Sequence, residues 1–139
     1  MDLFLGIILI LGAHYVADFI LQPREIADKK SYDALSLGIH VVIYAVSFFV
    51  LFCLYGLILH EFFVLTVTMQ HWFQMGVGIT VINGLFHFVI DFFSSKVSKY
   101  FWRTEQIRNF WLVIGFDQLL HTGILVYCYA EMLKNFGYI

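Results

Sequence analysis

The sequence predicts an all-α integral membrane protein, a four-helix bundle that forms one domain over residues 1–139. The first observation behind this is composition, because 61% of the residues are hydrophobic and only 13% are charged. A soluble domain usually has about a quarter of its residues charged and roughly half or fewer apolar. A chain this short leaves much of its surface exposed, so it could not bury that much apolar surface in water.

The second observation is that four apolar segments reach the length of about 20 residues that crosses a bilayer core. These segments are 3–22, 38–59, 75–93 and 110–132. Pro23 ends the first, because a proline disfavours helical geometry in the residue before it. No basic stretch precedes this segment, so we expect a retained span rather than a cleaved signal peptide. The apolar stretch 60–74 is interpreted either as a helix extension or as a segment along the membrane interface.

The basic residues predict the orientation of the spans. Seven of the eight lysines and arginines fall in the polar loops 23–37 and 94–109, whereas the stretch 60–74 has none. Because basic loops stay on the cytoplasmic side, we expect both polar loops in the cytoplasm and both termini outside. A bacterial inner membrane is the expected location.

The two halves of the sequence echo each other. Residues 14–20, HYVADFI, align with residues 87–93, HFVIDFF, and both stretches close an outside-to-inside span. This pattern predicts two parallel two-helix repeats related by an axis normal to the membrane.

The candidate metal ligands are seven histidines and aspartates within the apolar spans. They are His14, Asp18, His40, His87, Asp91, Asp117 and His121. Taken singly, each has an ordinary explanation as an interhelical hydrogen-bonding group. Six of them, however, form pairs four residues apart, which share one helix face. All seven also lie in the cytoplasmic halves of their spans, so we expect them to converge on one layer.

Charge balance favours a metal at this layer. Each ionised aspartate at depth costs roughly 2.5–3.5 kcal/mol, and the four spans contain no lysine or arginine to offset three of them. Either the carboxylates are protonated or cations are bound. Seven ligands exceed the needs of one tetrahedral ion and suit two ions about 3.5–4 Å apart. Imidazole and carboxylate ligands favour divalent zinc, manganese or iron.

Other polar residues are candidates for supporting roles. Hydrogen bonds that orient the ligands are expected from Gln22, Tyr44, Asn83 and Gln118, although plain helix–helix bonding is an equally good interpretation. Candidate phosphate-binding residues at the mouth of the site are Lys29, Lys30, Lys96 and Lys99, for which the positive-inside charge is the simpler explanation. Cys53 and Cys128 fall inside spans and are expected to be buried apolar side chains.

These motifs resemble a known family. The strings His14-x-x-x-Asp18-Phe19-x-Leu21-Gln22, His87-x-x-x-Asp91 and Asp117-Gln118-x-x-His121, with His40 between the first two, resemble small bacterial and phage membrane proteins of unknown function. The resemblance spans nearly the whole chain. That family in turn resembles a wider group of inner-membrane proteins described as metal-dependent hydrolases, some under DNA-damage control. The resemblance implies a polytopic protein with a histidine/aspartate site and, by a further step, hydrolysis.

The function that we favour from sequence is metal-dependent hydrolysis of a lipid or lipid-linked phosphoester at the cytoplasmic face, with no catalytic residue assigned. A metal-ion or proton carrier could use the same residues, although four short helices leave little room for alternating access without a homo-oligomer. A b-type haem protein fits poorly, because three carboxylates lie close to the histidines. A non-catalytic membrane protein with a structural metal stays open. The expected partners are membrane lipids, and nucleic acid is not expected.

Overall fold

The protein is all-helical, which confirms the predicted class. The computed structural model describes residues 3–62 and 67–139, and this part of the chain contains no strand. Helix α1 (Leu3–Tyr15) continues as a π-helical turn (Val16–Ile20) and is followed by the short helix α2 (Arg24–Lys29). The three long helices are α3 (Ala34–Phe62), α4 (Met69–Arg103) and α5 (Ile107–Asn135).

Three helices are long and apolar enough to cross a membrane. They comprise 27 residues of α3, all 35 residues of α4 and all 29 residues of α5. The apolar stretch of the first helix, Phe4–Ile20, is shorter than these. Three of the four predicted spans therefore correspond to helices that could cross a membrane. The first span, the orientation of the spans in the membrane and the two repeats stay predictions.

The polar segments are more helical than predicted. The prediction of a loop over 94–109 is wrong, because α4 runs to Arg103 and α5 begins at Ile107. The buried stripe of α4 continues through Ser95 and Ser98, which keeps this polar segment packed as helix. Glu105 then takes a positive φ of 57° in the tight connection.

The other two polar or interfacial segments also gain helix. The predicted loop 23–37 contains α2 and the first turn of α3. Asp33 precedes this turn and accepts hydrogen bonds from the hydroxyl and the backbone N–H of Ser36. These bonds hold the pKa of the Asp33 carboxyl below its usual range. In the stretch 60–74, α3 reaches Phe62 and α4 starts at Met69, which agrees with the interpretation of this stretch as a helix extension. Residues 63–66 lie outside the described residues.

Each long helix buries one narrow stripe and exposes apolar side chains on its other faces. On α3 the stripe contains Leu37, His40, Tyr44, Phe48, Phe52 and Leu59. With buried Gly56 between Phe52 and Leu59, the spacing of three to four residues is the period of a single helix face. Outward-facing side chains such as Val42, Leu85 and Leu119 are more than half exposed. Such extensive apolar surface is unusual for a protein in water and suits a lipid environment.

Helices α3 and α4 are held in register by a close aromatic contact. The Trp72 indole stacks on Phe52 with ring centroids 4.4 Å apart, and its Nε1 donates a 2.9 Å hydrogen bond to the Phe52 carbonyl. Gly56 permits this approach, because a Cβ at that position would overlap the indole ring. The antiparallel register set here brings His40 level with His87 further along the pair.

Candidate metal centre

The buried polar residues of the first helix and of the three long helices meet in one cluster at the end of the molecule where α2 lies. All seven predicted ligands are buried, with the largest exposed fraction being 7% at Asp117. They come from the first helix, α3, α4 and α5, so the expected convergence of four helices is what the structure has. Beyond the cluster, the stripes continue as an apolar core that includes Phe48, Met75 and Leu125.

A π-helical turn positions Asp18. The backbone N–H of Leu21 donates to the carbonyl of Val16 over 2.9 Å, which spans one residue more than an α-helical bond. Such turns often occur at functional sites. The helix ends at Ile20, so Gln22 lies beyond the helical segment that carries His14 and Asp18.

The first group of candidate ligands comprises Asp18, His40 and His87, which each offer an atom within 4.8 Å of the others. Asp18 Oδ1 lies 3.3 Å from His40 Nε2 and 3.5 Å from His87 Nε2. The two Nε2 atoms lie 2.9 Å apart. Two ring nitrogens and a carboxylate oxygen therefore face one small space.

The second group comprises His87, Asp91 and His121, again within 4.8 Å. The two oxygens of Asp91 face different histidines: Oδ2 lies 3.0 Å from His40 Nε2, and Oδ1 lies 3.2 Å from His121 Nε2. Asp91 thus lies between the two groups. This is the arrangement that a carboxylate needs in order to contact two cations at once.

The remaining two predicted ligands belong to neither group. Asp117 Oδ1 lies 3.5 Å from His121 Nε2 and has no hydrogen-bond partner, while its Oδ2 accepts a 3.0 Å bond from Gln118. His14 Nδ1 lies 2.9 Å from the Tyr44 hydroxyl, and His14 Nε2 lies 3.4 Å from Gln118 Oε1. Asp117 is thus at the rim of the second group, whereas His14 is occupied by hydrogen bonds.

Hydrogen bonds connect the supporting residues in one chain across the helices. The Asn83 amide donates to the Tyr44 hydroxyl, which leaves the hydroxyl proton for His14 Nδ1. His14 then carries its own proton on Nε2, facing Gln118 Oε1, and the Gln118 amide donates to Asp18 over 3.3 Å. Since each group donates once along this path, the directions are mutually consistent. The Tyr44 ring also stacks on His87, with centroids 4.0 Å apart.

Two of the four predicted supporting residues, Tyr44 and Gln118, thus contact candidate ligands directly, whereas Asn83 contacts Tyr44 and Gln22 lies beside Asp18. Gln22 lines a small cavity of about 90 Å³ together with Asp18 and Gln118. Its Nε2 is buried without a hydrogen-bond partner.

Lys30 is a functional candidate whose position the sequence does not predict. Its Nζ lies 2.7 Å from Asp91 Oδ2, and its side chain is 19% exposed. The inference that the protein has no cation of its own for these carboxylates is therefore wrong for Asp91. The spans themselves lack basic residues, but a lysine from the end of α2 folds back over the cluster.

The other three candidate phosphate-binding lysines have different environments. Lys29 makes an exposed 2.6 Å salt bridge with Glu25, four residues earlier in the chain. Lys96 lies 3.4 Å from the centroid of the Phe92 ring. Lys99 lines a polar cleft of about 350 Å³ that has Lys30, Asp91 and Asp117 in its walls. Lys30 and Lys99 are therefore the two that lie at the mouth of the cluster.

The donor set of the cluster is imidazole nitrogen and carboxylate oxygen. Both cysteines are free; Cys128 belongs to the apolar core and Cys53 is half-buried on α3. The Nδ1 atoms of His40, His87 and His121 are buried without hydrogen-bond partners, so the polar contacts of these rings are all on the Nε2 side. Such a set could hold a divalent metal ion. The identity and number of ions stay predictions.

The fold and the cluster together define an all-helical protein with candidate membrane-spanning helices and a buried histidine/aspartate site able to hold a metal. The chain belongs to the family described as "Protein of unknown function (DUF3307)", whose model matches residues 6–137. The predicted membership of a family of unknown function is confirmed, and the relation to hydrolases stays a prediction. Comparisons with curated proteins and with solved structures gave no match.

Proposed function

We propose that the protein is a membrane-embedded, metal-dependent hydrolase that cleaves a lipid or lipid-linked phosphoester at the cytoplasmic membrane face. The observation that carries this proposal is the convergence of two groups of histidine and aspartate ligand atoms, each within 4.8 Å, in one buried cluster. A polar cleft of about 350 Å³ reaches this cluster from outside. Ligands, water and a phosphoryl group could therefore meet at one place.

The contacts of Asp91 favour a centre of two ions. Asp18 and His40 would hold one ion, with His87 beside them, and His121 would hold the other. Asp91 would bridge the pair, because its two oxygens already face His40 and His121. His14 stays a candidate ligand that would first have to exchange its contacts with Tyr44 and Gln118.

The chemistry of such a centre suits phosphoester hydrolysis. A bound divalent ion lowers the pKa of a coordinated water toward about 7 and polarises the scissile bond. Asp117 is the carboxylate that we assign as proton acceptor, because its Oδ1 is free of hydrogen bonds and it lines the cleft. Lys30 and Lys99 lie in the same cleft and would contact the negative oxygens of the phosphoryl group.

The carrier alternative has less support from the fold. A carrier needs a polar route that continues past the binding site, but the stripes beyond the cluster are apolar. Phe48, Met75 and Leu125 there are each at most 1% exposed and pack in the core. A purely structural metal is also less favoured, because structural sites are closed and commonly use thiolates, whereas this cluster adjoins an open cleft.

Elemental analysis of the detergent-purified protein tests the shared premise of a bound metal. We expect about two equivalents of a divalent metal in the wild type and a loss of at least one in Asp91→Ala, since removing a bridging carboxylate affects both ions. Glu25→Gln is the control, because this carboxylate is exposed and forms its salt bridge with Lys29 instead of a residue of the cluster. A wild-type protein without stoichiometric metal would refute the proposal.

Hydrolysis is then tested on the metal-loaded wild type with lipid phosphomonoesters and phosphodiesters in mixed micelles. Release of phosphate or of a phosphorylated headgroup that depends on the metal supports the proposal. Metal flux into liposomes without any hydrolysis would favour the carrier instead.

A further inference from the structure

An apolar groove opens on the outer surface between α4 and α5, close to the candidate metal centre. It has a volume of about 560 Å³ and is lined by residues such as Val89, Phe93 and Val97 of α4 and Leu112 and Phe116 of α5. Val89, Phe93 and Phe116 are each more than half exposed. The groove therefore opens at the side of the bundle, on the same surface as the exposed apolar faces of α4 and α5.

The polar cleft lies next to this groove and differs from it in chemistry. Lys30, Lys99 and the serines Ser95 and Ser98 line the cleft. Ser95 Oγ is buried without a hydrogen-bond partner. The cleft thus offers two cations and an unused hydroxyl to a ligand with several acceptor oxygens, as a phosphate has.

Two residues belong to both spaces. Ser94 and Asp117 line the apolar groove and the polar cleft alike. A molecule with a hydrocarbon chain in the groove would therefore have its polar end beside Asp117, next to His121. The apolar groove thus adjoins the polar cleft, and the polar cleft adjoins the candidate metal ligands.

We propose that groove and cleft together form a substrate site for a phosphate-bearing lipid, which enters sideways between α4 and α5. One hydrocarbon chain occupies the groove, and the phosphate headgroup occupies the cleft with Lys99 and Lys30 as its cationic contacts. This inference rests on the proposed function, because the cleft walls also carry Asp28, Asp91 and Asp117. Three carboxylates against two lysines would repel a phosphate unless a divalent metal is bound.

The test uses purified, metal-loaded protein in mixed micelles with phosphatidic acid that carries a photoactivatable group in one acyl chain. Labelled peptides are mapped by mass spectrometry, and unlabelled phosphatidic acid, diacylglycerol and inorganic phosphate serve as competitors. We expect labelling to concentrate in segments 89–97 and 112–120 and to be displaced by phosphatidic acid better than by the other two. Uniform labelling of all exposed apolar faces would overturn the inference, and so would equal displacement by inorganic phosphate.

Two matched pairs of variants separate the groove from the cleft. Val89→Trp fills the groove, whereas Val81→Trp places the same side chain at an exposed position of α4 outside it. We expect Val89→Trp to lower the affinity for phosphatidic acid about tenfold, because each methylene excluded from the groove lowers the affinity by roughly a factor of four. Lys99→Gln should abolish the preference for phosphatidic acid over diacylglycerol, while Lys96→Gln, outside the cleft, should keep it.

Metal content and hydrolysis are measured on every variant, so that the two proposals can fail separately. Localised, phosphate-selective labelling without hydrolysis would refute the hydrolase and leave the lipid site standing. Hydrolysis with uniform labelling would refute the lipid site and leave the hydrolase standing. A Val89→Trp variant that binds phosphatidic acid as tightly as the Val81→Trp variant would also refute the lipid site.

Discussion

The Nζ atom of Lys30 lies 2.7 Å from Oδ2 of Asp91, although the two residues are 61 positions apart. The same oxygen lies 3.0 Å from His40 Nε2. Lysine and metal would therefore use the same face of this carboxylate. The ammonium group gives Asp91 a cationic partner that a metal ion would have to displace.

We predict that Lys30→Gln increases the affinity for divalent metal. The variant removes the competing cation, and a charge-assisted hydrogen bond of this kind contributes about 1.5–3 kcal/mol, so the gain should be roughly tenfold or more. Competition with a chelator measures the affinity. Lys29→Gln is the matched control, because Lys29 pairs with exposed Glu25 on the same short helix. A lower affinity in Lys30→Gln would show that the lysine assists binding instead.

Asp91 and Asp117 are predicted to differ in what their loss removes. Asp91→Asn should lose metal, whereas Asp117→Asn should keep at least one ion and lower turnover by about 10²–10⁴, the usual contribution of a proton acceptor. Elemental analysis and initial rates on a lipid phosphoester measure the two effects. Equal metal loss in both variants would make Asp117 a ligand of the same importance as Asp91.

Tyr44→Phe is predicted to destabilise the protein through the hydrogen-bond chain. The variant keeps the ring that stacks on His87 but leaves the Asn83 amide and His14 Nδ1 buried without their partner. Each such group costs about 1–3 kcal/mol. Thermal denaturation in detergent should show a lower midpoint, while Tyr15→Phe, on the exposed face of α1, should not change it.

Gly56→Ala is predicted to loosen the contact between α3 and α4. A methyl group at this position overlaps the Trp72 indole, and overpacking of this kind typically costs about 1–3 kcal/mol. Gly123→Ala on α5 is the control, because no atom of the described residues outside the adjacent turns of α5 lies within 4 Å of the added Cβ. Near-ultraviolet circular dichroism and thermal denaturation would report the change at Trp72. Equal midpoints for the two variants would contradict the role given to Gly56.

The sequence predicts the histidine/aspartate cluster well because the relevant signal is local. His87 and Asp91, or Asp117 and His121, share a helix face whatever their helices pack against. Three candidate spans follow from apolar length in the same way. The end of α4 is harder to predict, because a stretch with charged residues such as Lys96 and Lys99 resembles a loop when only hydropathy is considered. Their helix forms because Ser95 and Ser98 pack inward.

Two features of the site depend on tertiary structure and could not be predicted from spacing. The π-helical turn around Asp18 shifts the Asp18 side chain relative to that of His14. Asp18 therefore contacts His40, whereas His14 contacts Tyr44. The position of Lys30 follows from how α2 folds against α3, which no pattern within residues 23–37 specifies. A flexible side chain of this length can reach many partners, and only the packed structure selects Asp91.

The apolar core beyond the cluster, with Phe48, Met75 and Leu125, closes the site on one side, and the polar cleft opens on the other. In a hydrolase built in this way, incoming water, incoming ions and the departing headgroup would share the cleft. Turnover would then depend on how fast the product clears that passage. Free phosphate should slow the reaction by occupying it, and more lipid should relieve this inhibition.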